Sequence, residues 1–263
     1  MKIALIAAAS LLACSTSALA VTVTTLDGSQ GFVAPAGELS GTGAVSITAN
    51  TALDADGSLQ LSGNRTRVLN GNNYAPTTNY GLANDLLSLT GDYLVTTSSL
   101  DGIQSPAFRV YIQNGAQRSE LIYEAANNGG YTLGTAAHVT ADSLFYQFVT
   151  GAGATLVSPG GNYVLKTLAD FGDTYSANAF VSAFGVGNGG CPGASTNCAT
   201  FSALADNLAF TTGAGGTTRV NFAASVSGAV PEPATWAMML VGFGGMGAAM
   251  RRSRKANGIL QIA

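Results

Sequence analysis

The sequence predicts a mainly β protein, an antiparallel sandwich of jelly-roll type, with an N-terminal signal helix and one C-terminal transmembrane helix. Three observations carry this. Short blocks rich in β-branched and aromatic residues recur between Gly, Asn, Asp and Pro through the middle of the 263-residue chain. No segment between residues 21 and 230 keeps a 3.6-residue apolar period with helix caps. Uncharged apolar runs stand at the two ends.

The chain opens with Lys2, an apolar run from Ile3 to Ala13, and small residues ending at Ala18-Leu19-Ala20. This is the pattern of a secretory signal, with residues 1–20 expected to be removed by signal peptidase after Ala20. The run is too short for a helix to cross a hydrocarbon core of about 30 Å. Leu11-Leu12-Ala13-Cys14 also approaches a lipoprotein cleavage box, but a bulky Leu12 stands where a smaller residue is usual, and the Ala-x-Ala site is preferred.

The extracytoplasmic β domain is expected over residues 21–228. Strands are predicted at 92–98, 107–113, 120–124, 144–149, 162–168, 179–186, 204–211 and 218–223, with a short helical turn over 84–89. Within 107–113, Phe108, Val110 and Ile112 alternate with Arg109, Tyr111 and Gln113, which predicts one buried and one wet face. Six basic residues (Arg65, Arg67, Arg109, Arg118, Lys166, Arg219) face thirteen acidic ones between residues 21 and 230, a formal charge of −7. An acidic body excludes nucleic acid and anionic lipid as partners held through a basic patch.

Several residues are candidates for chemistry. Cys191 and Cys198, left after signal removal, flank a Pro-Gly-Ala-Ser-Thr-Asn loop and are expected to form a disulfide in an oxidising compartment. Asp54-Ala55-Asp56-Gly57 resembles the opening of a calcium loop, in which alternate carboxylates face one ion. The rest of an EF-hand is missing, so a plain Asp-Gly turn is the preferred reading, and no metal or other cofactor is expected. His138 is the sole histidine, which removes multi-histidine metal sites, and no nucleophile motif supplies it with a catalytic partner. Asp142, Asp170, Asp173 and Asp206 could supply the carboxylate pair of a glycoside hydrolase, although such residues are mostly solvated or turn-forming. A sugar-binding platform would depend on residues such as Tyr74, Tyr80, Tyr131 or Tyr175, because Trp236 lies in the tail.

The tail runs Pro231-Glu232-Pro233, Trp236-Ala237-Met238-Met239, Gly242-Phe243-Gly244, then Arg251, Arg252, Arg254 and Lys255. Ala234 to Met250 are seventeen uncharged residues, about 26 Å as a helix at about 1.5 Å per residue, which is within the spanning range. The basic cluster would stay cytoplasmic, placing the body outside and residues 256–263 inside. This order of residues over 229–255 closely resembles the PEP-CTERM sorting signal, also known as an ice-binding protein C-terminal domain. The resemblance implies that an exosortase, a membrane-embedded transpeptidase, recognises Pro231, Glu232 and Pro233, removes the helix and basic tail, and passes the protein to the envelope or extracellular matrix. In that reading Trp236, Gly242, Gly244, Arg251 and Arg252 complete the signal. The two prolines fix φ and remove N–H groups, which keeps the tripeptide extended at the membrane surface where a protease needs it.

The leading expectation is a non-catalytic envelope or matrix protein. It would be anchored transiently in the inner membrane with its body in the periplasm, and associated after processing with exopolysaccharide or biofilm. A carbohydrate-binding module and a secreted glycoside hydrolase are the alternatives. No regular Thr-x-Thr ladder supports ice binding.

Overall fold

A computed structural model of the protein describes residues 20–35, 38–73, 77–98, 104–151, 164–188, 200–224 and 243. The chain divides into two units, Met1–Ala224 and Ser225–Ala263, and the first is a mainly β sandwich of two sheets. Its strands are β1 (Val21–Val23), β2 (Phe32–Val33), β3 (Ala44–Thr48), β4 (Ser58–Ser62), β5 (Thr66–Gly71), β6 (Leu86–Thr97), β7 (Pro106–Asn114), β8 (Gln117–Tyr123), β9 (Ala136–Val139), β10 (Phe145–Gly151), β11 (Phe180–Asn188), β12 (Ser202–Thr212) and β13 (Gly216–Phe222).

One sheet has the order β10-β8-β7-β11-β5-β2. In the other, β12 is the hub. On one side it pairs with β6, which in turn pairs with β9. On its other side, Ser202–Ala205 pair with β4, and from Leu208 onward the partner becomes β13. The strands therefore change neighbour at Asp206-Asn207. All these pairs are antiparallel except β1 on β13, which is parallel.

The core lies between the sheets and is built of aromatic rings that meet mostly edge to face or tilted, with one stacked pair. Phe184 of β11 stacks on Phe210 of β12 at 4.7 Å and 13°. Phe32 stands edge-on to Phe184 and Phe222, and Tyr93, Phe108, Tyr123 and Phe145 continue the row. Gly91 in β6 is needed here, because a Cβ at that position would lie 2.5 Å from the Phe108 ring.

The predicted strands at 92–98, 107–113, 120–124, 144–149, 179–186, 204–211 and 218–223 correspond to β6, β7, β8, β10, β11, β12 and β13. Three expectations are corrected. The strand predicted over 162–168 is not formed by its described residues, 164–168. Lys166 makes a single bridge to Phe145, and a helix, α1 (Leu168–Gly172), begins where Thr167 Oγ1 accepts the Asp170 N–H. The helical turn over 84–89 is a 3-10 turn at Ala83–Asp85, after which β6 starts at once.

The third correction concerns the wet face of β7. Arg109 and Tyr111 are buried, as is Glu120 beside them. That face carries a closed ionic network. Arg109 and Arg67 hold Glu120, Arg67 and Arg65 hold Glu38, Tyr111 donates to Glu120 at 3.0 Å, and Asn73 donates to Glu38 at 2.9 Å. Beside it Ala107, Ile122 and Tyr146 are buried, with Phe148 and Leu165 packed against them. Buried charges persist only when paired and hydrogen-bonded, and this covered face provides both.

Among the described residues no helix is long and apolar enough to cross a membrane. Residues 1–19 of the signal peptide expected over 1–20, the expected transmembrane stretch 234–250 apart from Phe243, and Cys191 with Cys198 of the expected disulfide lie outside the described residues.

Candidate functional site

The seam where β12 exchanges β4 for β13 gathers the acidic residues of the loop before β4. The register of β12 on β6 runs Asp206 opposite Asp92, then Ala209 opposite Thr90, so β12 carries one extra residue there. An extra residue shifts the alternation of a strand. Ala203 and Ala205 face the core before it, Leu208 and Phe210 after it. Asp206 and Asn207 are thereby both turned out of the core, and Asn207 takes φ 53°, a left-handed conformation that Asn tolerates better than most residues.

Three elements converge on Asp206. Its Oδ1 accepts the backbone N–H of Asn207 at 2.6 Å and of Phe222, at the end of β13, at 2.9 Å. Its Oδ2 is buried with no hydrogen-bond partner among the described residues. Asp54 and Asp56 reach the same place from the loop before β4, and one carboxylate oxygen of each of the three lies within 4.8 Å of the others. That loop is locked by Gly57 at φ 120°, where a Cβ would come within 2.5 Å of the Thr48 carbonyl and 2.8 Å of the Ala224 nitrogen. The Ala224 N–H in turn donates to the Asp56 carbonyl at 3.0 Å, tying the end of the β13 segment to the loop.

Two asparagines manage the negative charge. Asn207 Nδ2 bridges Asp54 Oδ2 and Asp92 Oδ2, both at 3.0 Å. Asn221 Nδ2 donates to Asp56 Oδ2 at 2.7 Å, while its own Oδ1 is buried without a partner among the described residues. Opposite Asp92, His138 of β9 holds Nδ1 2.6 Å from Asp92 Oδ1, with its side chain largely in solvent. The carboxyls are driven apart in acidity. Burial, reinforced by the charges of Asp54 and Asp56, pushes Asp206 up to about 7 against the two backbone N–H groups that favour its ionised form. The Asn207 amide holds Asp54 below the ordinary carboxylate range.

The structure thus joins Asp54 and Asp56, which the sequence offered together, to Asp206, which it offered in another role. Asp170, in the first turn of α1, accepts from Oγ1 of the capping Thr167 at 2.7 Å, and Asp142, Asp170 and Asp173 are exposed. Tyr80, Tyr131 and Tyr175 pack against the core. Tyr80 donates to Asn70 and Tyr175 accepts from Gln147 at 2.8 Å, so these rings serve packing. Tyr74 lies outside the described residues. Asn221 was absent from the sequence reading. Nothing local marks it, because its role depends on β13 ending beside the Asp54 loop.

Comparison with known families matches residues 229–255 to the PEP-CTERM protein-sorting motif. Comparison with the curated proteins and with the solved structures gives no match. The matched motif is that of exosortase-dependent sorting, and so of an exported protein that passes through the membrane before processing.

Proposed function

We propose that this is a non-catalytic envelope or extracellular-matrix protein, delivered by exosortase processing of its tail and associated with exopolysaccharide. The observation that carries the proposal is the Pro231-Glu232-Pro233 signal with its apolar run and arginines, within the matched residues 229–255. In this reading the β domain, jelly-roll-like in its two sheets, is carried outward by the signal peptide, held at the inner membrane by the span at 234–250, and released from it by cleavage near Pro231. The Cys191–Cys198 pair would close as a disulfide in that compartment.

The non-catalytic part of the proposal is supported by how the acidic side chains are used. Asp170 accepts from the hydroxyl of Thr167 at the start of α1, Glu38 is paired with Arg65 and Arg67, and Glu120 neutralises the buried Arg109.

The test is the intact mass of protein recovered from the native host, with and without its exosortase. The expected result is a chain that has lost Arg251 to Ala263 in the normal host and keeps them when the enzyme is deleted. A mature, matrix-located protein that retains the basic tail in the normal host would refute the sorting step. A mature chain that sediments with purified exopolysaccharide supports the matrix association, and one that stays wholly in the soluble fraction refutes it.

A further inference from the structure

We infer that the seam between β4 and β13 is a calcium site, its ligands the carboxylates of Asp54, Asp56 and Asp206 and the side-chain carbonyl of Asn221. The inference is independent of the tail and of the matrix reading.

Acidic side chains often cluster on surfaces without an ion, so proximity alone carries little. Here the decisive atom is buried. Asp206 is 0% exposed, and its Oδ2 has no donor among the described residues. A buried oxygen without a donor costs stability unless something positive meets it. The Oδ1 of the same carboxylate is already engaged by two backbone N–H groups, which fix its orientation and leave Oδ2 as the free acceptor of a carboxylate clustered with Asp54 and Asp56. Asn221 repeats the arrangement, because its amide nitrogen is held by Asp56 and its carbonyl oxygen is buried and unpaired. Two unpaired buried oxygens therefore accompany two carboxylates from the neighbouring loop.

The donor set selects the ion. All four groups are hard oxygens, and the cluster holds neither a thiol nor an imidazole, so zinc and copper are disfavoured. Calcium takes about 6–8 oxygens at about 2.3–2.6 Å in flexible geometry, and bidentate carboxylates with water can complete that number. Magnesium demands a near-ideal octahedron and keeps most of its water, which suits a half-buried seam poorly. The position also gives the ion a structural task. It would tie the loop before β4, the bulge of β12 and the end of β13 at the point where the sheet has no continuous ladder between β4 and β13.

The test uses the full chain, freed of metal with a chelator and then dialysed, with its fold checked by far-ultraviolet circular dichroism. Calorimetric titration with CaCl2 is expected to show one ion per chain, with a dissociation constant at or below the range of about 10⁻⁴–10⁻³ M found for extracellular calcium modules. Calcium should also raise the melting temperature, and equimolar MgCl2 should do much less. Asp206→Asn should weaken binding by about tenfold or more, since affinity follows the charge of the ligand set. Should that buried substitution unfold the chain, Asp56→Asn at an exposed position gives the same comparison. Saturable binding that Asp206→Asn or Asp56→Asn weakens supports the site. Absence of calcium-dependent heat in the folded wild type, equal affinity for magnesium, or binding untouched by both substitutions overturns it.

Discussion

The ionic network under the outer face of β7 gives the sharpest test of how this sandwich is held together. Glu120→Gln removes the anion that Arg109 faces while keeping size and shape. Arg109 is 3% exposed, and its ion-pair partner among the described residues is Glu120. The substitution leaves a guanidinium buried without a counter-charge, a loss typically of about 3–5 kcal/mol. Arg109→Met should cost less, because Glu120 keeps Arg67 at 3.1 Å and the Tyr111 hydroxyl at 3.0 Å. The double variant should be more stable than the sum of the single losses implies, with a coupling of about 1–3 kcal/mol, since it has no orphaned charge at Arg109. For a domain of this size each 1 kcal/mol moves the melting temperature by about 2–4 °C. Urea unfolding followed by tyrosine fluorescence and by circular dichroism measures all four corners of the cycle. Additivity of the two single changes within about 0.5 kcal/mol would refute the pairing and with it the account of why this face is closed.

Three further outcomes follow from the same geometry. Burial pushes the Glu120 carboxyl up, but the guanidiniums of Arg109 and Arg67 outweigh it and hold it below its ordinary value. Its contribution is therefore complete above the unfolded glutamate range and lost as pH falls toward the lower folded value. The stability of Glu120→Gln between pH 5 and pH 2 should fall less steeply than that of wild type, and parallel curves would contradict this. Asp206 has the opposite sign. With its folded value at about 7 and an unfolded value of 3.8, the metal-free chain should lose stability as pH rises from about 4 to about 7, by up to about 4 kcal/mol. Denaturant titrations in chelator should show this decline in wild type and its near absence in Asp206→Asn; an equal slope in both would count against it. Gly57→Ala places a Cβ 2.5 Å from a backbone carbonyl at φ 120°. It should cost about 1–3 kcal/mol, read by thermal melting, and an unchanged melting temperature would show that the loop before β4 is free to move.

How much of this was legible in the sequence depended on length and locality. Strands β6, β7 and β10 to β13 were visible because they run seven to twelve residues and carry enough apolar positions to show a period. Strands β1 and β2 have three and two residues, and β3 alternates only between exposed and half-buried positions. They are held by their neighbours, not by their own composition. The misread stretch Val164-Leu165-Lys166-Thr167-Leu168 looks like a strand until Thr167 and Asp170 are taken together as a helix start, a cap that outweighs the β propensity before it. The network around Glu120 was also within reach. Gly115, at φ 61°, and Ala116 form a two-residue turn between Asn114 and Gln117, which sets Tyr111 opposite Glu120 and leaves Arg109 diagonal to it. The alternation rule concealed it, because that rule assumes that the polar side of a strand meets water.

The seam was hidden for a different reason. Asp54 and Asp56 announce themselves through local spacing, but neither is the atom that gives the site its character. Asp206 stands about 150 residues later, in a segment whose composition reads as an ordinary strand. What makes it unusual is topological. One additional residue in β12 turns Asp206 and Asn207 outward together, at the point where the strand passes from β4 to β13. A regular ladder would have buried Leu204-like side chains in that gap and closed it. Three carboxylates and two amides, with two unpaired buried oxygens among them, stand where the ladder changes partner, so the join without a continuous ladder is also a charged one. A cation there would supply the join that backbone hydrogen bonds do not, and the stability of the whole sandwich would then depend on the calcium concentration outside the cell.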